Sequence, residues 1–150
     1  CDNHLVKLCK YLRMMGFDCR FEQLSGNPHV ITQSNKENRI ILSRDQKRNQ
    51  YPAITHFILI SSSHPSDQVK QVIRQLSLEN FISPLSRCLR CNTQLVAVPK
   101  KQILHKLEPE TARDFHEFFQ CTQCQRVYWK GSHYENMWKL IQTKIIPSSQ

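Results

Sequence analysis

Two Cys-x-x-Cys pairs, Cys88/Cys91 and Cys121/Cys124, separated by 29 residues, constrain this 150-residue chain more than any other feature. Two residues between cysteines let both thiolates face one ion while the amides of the turn point at the sulfurs. Two such pairs make a closed four-thiolate set, for which tetrahedral zinc is the expected occupant. With no open coordination position, that ion is expected to hold structure and not to perform chemistry. The separation is longer than in compact fingers, and a ribbon hairpin with an insert at 100–118 spans it. Seven cysteines, an odd number, without a secretory pattern argue against a disulfide framework and imply an intracellular protein, nucleus or cytoplasm left open. Cys1, Cys9 and Cys19 are expected to be small buried or half-buried residues.

Composition removes several function classes. Only three glycines are present, Gly16, Gly26 and Gly131, so no cluster exists to cradle a phosphate as dinucleotide-binding and P-loop motifs do. His116-Glu117 lacks the second histidine of a zincin helix, and there is no Gly-x-Ser-x-Gly elbow. No apolar run approaches the roughly 20 residues that cross a bilayer, and the amphipathic helices need their apolar faces for the core, so no membrane partner is expected. The chain starts inside a pattern, at Cys1-Asp2, and reads as a piece of something longer. Twenty-one Lys and Arg against twelve Asp and Glu give +9, divided as +4 over residues 1–82 and +5 over 83–150. Four thiolates around one dication subtract two charges and leave +7, still a cationic protein whose natural partner is a polyanion.

Periodicity divides the chain near 82–84. Leu5, Leu8, Cys9, Leu12 and Met15 recur at helical spacing, which predicts a helix over about 3–15 ended by Gly16. Residues 17–21 read as a strand, 25–28 as a turn, and Pro28 begins a helix to about Lys36. Continuous apolar runs at 39–42 and 56–60 suit strands buried on both faces of a parallel sheet. Pro65 opens a helix carrying Val69, Val72, Ile73 and Leu76 on one face. Alternation of strand and helix implies an α/β layer over 1–82, followed over 83–150 by the cysteine ribbon. A closing helix presents Tyr134, Met137, Trp138, Ile141 and Ile145.

Asp2 precedes the first helix and Asp45 follows the strand at 39–42 through Ser43-Arg44. At the carboxyl ends of neighbouring parallel strands two aspartates converge on one crevice, where one reading has them share Mg²⁺ or Mn²⁺ for metal-assisted phosphodiester hydrolysis. The competing reading makes each a helix N-cap, and Asp67 is expected only to complement a helix dipole.

Taken together, Asp2, Leu12-Arg13, Gly16-Phe17-Asp18, the run from Arg39 to Asp45, Arg87 to Asn92, Cys121 to Cys124 and Tyr128 to His133 resemble, in order, the Mut-seven C-terminal RNase domain. The resemblance covers nearly the whole chain. It implies a PIN-like parallel sheet flanked by helices, joined to a small four-cysteine zinc ribbon, at the C-terminus of a 3′–5′ exonuclease. It also implies that Asp2 and Asp45 match acidic active-site positions, that Asp18 matches a further family aspartate, and that Cys88, Cys91, Cys121 and Cys124 match the zinc ligands. Relatives carry an acidic run where this chain reads Ser25-Gly26-Asn27-Pro28-His29, which thins the acidic set. Capture of single-stranded RNA, alongside the upstream exonuclease domain of the parent chain, is therefore ranked above retained Mg- or Mn-dependent endoribonuclease cleavage, with a docking platform for a protein partner of the parent exonuclease as a further alternative. Lys7, Lys10, Arg13, Arg44, Lys47 and Arg48 flank the crevice, and Arg87, Arg90, Arg126 and Lys130 surround the ribbon. Tyr128, Trp129 and Tyr134 are candidate stacking rings.

Overall fold

The computed structural model describes residues 1–22, 28–46 and 52–145. A 3₁₀ turn at Asn3–Leu5 leads into helix α1, Val6–Met14. The expected single helix is thus divided at Leu5, whose φ of −114° and ψ of 31° are not helical. Leu8, Cys9 and Leu12 bury the inner face of α1 while Lys7 and Lys10 stay outside. Helix α2, Pro28–Lys36, begins at its proline as expected, since that residue has no amide to leave unpaired. Strands β1, Ile41–Ser43, and β2, Phe57–Leu59, then pair in parallel, and α3, Pro65–Gln75, follows.

All three helices end in the same way. The residue after the cap adopts φ of 95° at Gly16, 52° at Asn38 and 51° at Ser77. Its amide and the next one reach back to the last turn: Gly16 to Arg13 O, Phe17 to Leu12 O; Asn38 to Asn35 O, Arg39 to Ser34 O; Ser77 to Arg74 O, Leu78 to Ile73 O. These are Schellman closures, which satisfy otherwise orphaned carbonyls. Gly16 alone needs its missing side chain for space as well, because a Cβ there would lie 2.3 Å from Ser83 O.

The parallel sheet is smaller than the sequence pattern implies. Ile41 donates to His56 O and Ile60 to Ser43 O along the β2 edge, whereas Leu42 O, which points the other way, accepts from the Asp2 amide at 3.0 Å. The N-terminal residues thus occupy the second edge of β1. Among the described residues β2 has no second neighbour, so Leu59 is 41% exposed and not buried on both faces as the apolar run suggested. Residues 17–21 form no strand. Their amides and carbonyls are drawn instead to Cys1 and to the side chains of Asn92 and Arg13.

The second half holds an antiparallel sheet of β3 (Leu95–Ala97), β4 (Phe119–Cys121) and β5 (Val127–Tyr128), in the order β3-β4-β5. The insert between β3 and β4 contains α4, Lys100–Ile103, and α5, Pro109–Asp114. The closing helix α6, Ser132–Leu140, continues as a π-helical segment, Ile141–Ile145. Ile141 is fully buried among Leu5, Leu8, Val69, Val72 and Ile73, with Met137 and Trp138 packed alongside, so the end of the chain completes the core begun by α1 and α3. No helix among the described residues is long and apolar enough to cross a membrane.

Candidate functional site

The acidic corner is built at the carboxyl end of β1. The Asp2 side chain is 6% exposed, and its Oδ2 accepts a hydrogen bond from Ser43 Oγ at 2.8 Å. Ser43, itself with no exposure, accepts in turn from the Asp45 amide at 3.0 Å, a turn in which a hydroxyl mimics a backbone acceptor. His4 Nδ1 lies 3.6 Å from the same Asp2 oxygen. Ser43 therefore ties the segments of Asp2 and Asp45 together, a role the sequence did not reveal. The signal was a small polar residue ending an apolar strand, where the chain must turn. Among the described residues, no group of three His, Cys, Asp or Glu side chains includes either aspartate.

Asp18 stands in a different network. Arg39 donates to both its oxygens, at 3.1 and 2.8 Å, and Asn92 Nδ2 donates at 2.7 Å. The Arg39 guanidinium, aided by Asn92 and opposed by partial burial, holds the Asp18 carboxyl down at about 2. Glu37 is held down at about 2 as well, by hydrogen bonds from Arg39 and then Gln33. Asp18 thereby serves as a strut joining the loop after α1 to the start of β1 and to the first cysteine turn.

That turn and its counterpart share one geometry. Asn92 (φ 64°) follows Cys91 and Gln125 (φ 59°) follows Cys124, each in the left-handed region. The amide of Asn92 donates to Cys88 O and that of Gln125 to Cys121 O, at 2.9 and 3.0 Å. Within each turn the second cysteine's amide donates to the first cysteine's sulfur, Cys91 N to Cys88 Sγ at 3.3 Å and Cys124 N to Cys121 Sγ at 3.4 Å. All four sulfurs lie within 4.8 Å of one another. Burial raises the Cys88 thiol, but the Tyr128 hydroxyl at 3.1 Å and the turn amides outweigh it and bring it down to about 7. Cys91, sharing a hydrogen bond with Cys124, is pushed up to about 12. Packed thiols resist joint ionisation unless a cation neutralises them, and the amides already aimed at sulfur fit thiolate ligands. The donor set suits a metal ion such as zinc.

The basic residues separate into two groups. Arg13 Nε donates to Cys19 O at 2.7 Å, and its Nη1 donates to Leu89 O at 3.0 Å and Arg90 O at 2.9 Å. Arg87 donates to Gly16 O and Asn92 O. These two clamp the first cysteine turn to the end of α1. Lys130 pairs with Glu117 at 3.2 Å. Lys7, Lys10, Arg44, Arg90 and Arg126 are exposed and form no ion pair among the described residues. Lys47 and Arg48, like positions 25–27 of the thinned acidic stretch, lie outside the described residues. Of the candidate stacking rings, Trp129 packs against Phe115 and Phe118 at centroid distances of 6.4 and 6.3 Å, and Tyr128 is engaged with Cys88.

The segments that the Arg13, Arg87 and Asn92 contacts hold together are those that one family model matches in a single stretch, the Mut7-C RNAse domain over residues 1–141. The chain belongs to the Mut7-C RNAse domain family. No curated protein sequence and no solved structure matches it. Membership makes this a nuclease-like, RNA-related domain. In this Mut7-C domain the two halves are joined by Arg87, which donates to the Gly16 and Asn92 carbonyls, by Asn92, which donates to Asp18, and by Arg13, which donates to the Leu89 and Arg90 carbonyls.

Proposed function

We propose that this Mut7-C RNAse domain is an RNA-capturing module with a PIN-like α/β unit (1–82) and a zinc ribbon with its closing helix (83–150), working as the C-terminal part of a 3′–5′ exoribonuclease. The observation that carries it is the state of the surface charge. Among the described residues Asp18, Glu37, Asp114 and Glu117 are taken up in ion pairs; Lys7, Lys10, Arg44, Arg90 and Arg126 face solvent without one, as do Glu22, Glu79, Glu108, Glu110 and Glu135, but the net charge of +9 puts the surplus on the basic side. That surplus suits phosphate contacts, which dominate affinity for nucleic acid. In this reading Cys88, Cys91, Cys121 and Cys124 hold zinc, which fixes the ribbon but takes no part in chemistry.

The test is fluorescence anisotropy of a labelled single-stranded oligoribonucleotide, titrated with the zinc-loaded chain in buffer free of Mg²⁺. Affinity should fall steeply as salt rises. Reversing Lys7 and Lys10 to Glu should weaken binding about tenfold or more and flatten the salt slope by about 0.7 for each phosphate no longer neutralised. No binding in dilute buffer would refute the proposal.

A second reading is favoured by the Asp2–Ser43–Asp45 link, which brings two acidic segments to the end of one strand. There, Mg²⁺ or Mn²⁺ held by Asp2 and Asp45 would activate water for RNA cleavage. Cleavage in Mn²⁺ that disappears in both Asp2→Asn and Asp45→Asn would establish it. The burial of Asp2 under the Ser43 hydroxyl supports ranking it second, because Mg²⁺ needs concentrated and accessible carboxylates to shed its water.

A further inference from the structure

The three cysteines outside the ribbon come from three separate segments, yet the fold gathers all of them. Cys1 lies on the β1 edge beside Asp2, Cys9 is on the buried face of α1, and Cys19 is in the loop after Gly16. Their sulfurs all lie within 4.8 Å of one another, with Cys1 Sγ and Cys19 Sγ at 3.2 Å, and none is in a disulfide. We propose that Cys1, Cys9 and Cys19 form a second metal site, which takes a thiophilic divalent ion of the zinc and cadmium type through three thiolates.

Three properties of the place support this. The first is spacing: bonds of about 2.3 Å at tetrahedral angles put sulfurs about 3.8 Å apart, so the three side chains close on an ion with shifts of about 1 Å or less. The second is charge. Three thiolates around a dication carry −1, and the Arg13 guanidinium, bonded through Nε to Cys19 O at 2.7 Å, is placed to balance it. The three thiol protons leave to solvent on binding, which frees the weak contacts that Cys9 makes to Cys19 O and Cys19 to Arg20 O. The third is access. Cys1 and Cys19 line a cavity of about 700 Å³ that also touches Asp2 and His29, while Cys9 closes the site from the core side. An ion enters from the cavity and keeps its fourth position open towards it. The ribbon cluster, by contrast, is closed on all four sides by cysteine. Sulfur donors also separate this site from the Asp2 corner, since hard ions such as Mg²⁺ take oxygen ligands.

The experiment is metal stoichiometry. The full chain, kept reduced, is equilibrated with Zn²⁺, freed of excess ion, and assayed for zinc per chain; a parallel Cd²⁺ titration follows the sulfur-to-metal charge-transfer absorbance. Two ions per chain are expected for the wild type and one for Cys1→Ser and Cys19→Ser, with the charge-transfer amplitude falling from seven thiolates' worth to four. Near-UV circular dichroism checks that the variants are folded. Should a variant fail to fold, the wild-type value decides alone: two ions support the site and one overturns it. Equal stoichiometry in wild type and Cys1→Ser overturns it too, as does a Cys1–Cys19 disulfide that persists in reducing buffer. Because the readout is a difference of one ion, it stands whether or not the domain binds RNA.

Discussion

Asp18 illustrates how an acidic residue expected at a functional site can serve the fold. Two bonds from Arg39 and one from Asn92 leave its carboxylate few free lone pairs for a metal. Its acidity follows: folded, it titrates near 2, against about 3.9 in an unfolded chain. A depressed carboxyl stabilises the fold above its unfolded pKa, and that contribution is lost as pH falls through the folded one. Asp18→Asn should therefore cost about 1 kcal/mol at pH 7, a figure kept small by solvent screening at a side chain 40% exposed. The gap between the two proteins should close between about pH 4 and pH 2. Urea midpoints across that range measure it, and because any effect of acid on the four-cysteine cluster is common to both proteins, their difference isolates Asp18. Arg13 makes the complementary case. Its fork meets three carbonyls, and lysine offers no such fork, so Arg13→Lys should cost about 2 kcal/mol at neutral pH by the same assay. A cost below about 0.5 kcal/mol would show that those bonds are replaceable by water.

At the scale of elements, legibility tracked how local each signal was. Pro28 and Pro65 start their helices where the sequence places them, because a missing amide and a fixed φ act at one position. Gly16 could be read as a helix end; Asn38 and Ser77 close α2 and α3 by the same bonds with residues less suited to positive φ, which is why those ends were harder to see. The cysteine turns were legible because ligand spacing is local, whereas the Tyr128 bond to Cys88 spans 40 residues and left no trace in any short pattern. Residues 17–21 misled for the opposite reason: their alternation suits a strand, but tertiary partners claim the backbone first. Gly16 is where helix end and chain crossing coincide. An alanine there would hold φ near 95° and press its Cβ to 2.3 Å from Ser83 O, so Gly16→Ala should cost about 3 kcal/mol or more, read from thermal or urea unfolding. Tyr128→Phe removes a hydroxyl that supports a cysteine sulfur and should weaken zinc binding about tenfold in chelator competition while leaving the fold intact.

For the whole molecule, the question is whether the two halves suggested by the sequence unfold separately. Their contacts argue for one cooperative unit: Arg13 and Arg87 cross between them, and Ile141 fills the core that α1 and α3 line. The closing segment runs from the ribbon into that core, which makes Ile141 the place to test the coupling. Truncating a fully buried isoleucine costs about 2–5 kcal/mol through lost burial and the cavity left behind. The chain supplies its own probes, since its only two tryptophans lie apart, Trp129 against Phe115 and Phe118 in the ribbon and Trp138 against the α1–α3 core. In Trp138→Phe the fluorescence reports the ribbon, and in Trp129→Phe it reports the core. Coincident urea transitions are expected for the two probes, and Ile141→Ala should move both by the same amount. If Trp129 keeps its midpoint while Trp138 shifts, the ribbon is a separate folding unit and the Arg13 and Arg87 bonds merely dock it. A shared shift means that a metal bound by Cys88, Cys91, Cys121 and Cys124, as proposed, would also steady the helix carrying Lys7 and Lys10. In that event, on the proposed reading of RNA capture, stripping any metal from the four cysteines should weaken RNA binding in the anisotropy titration.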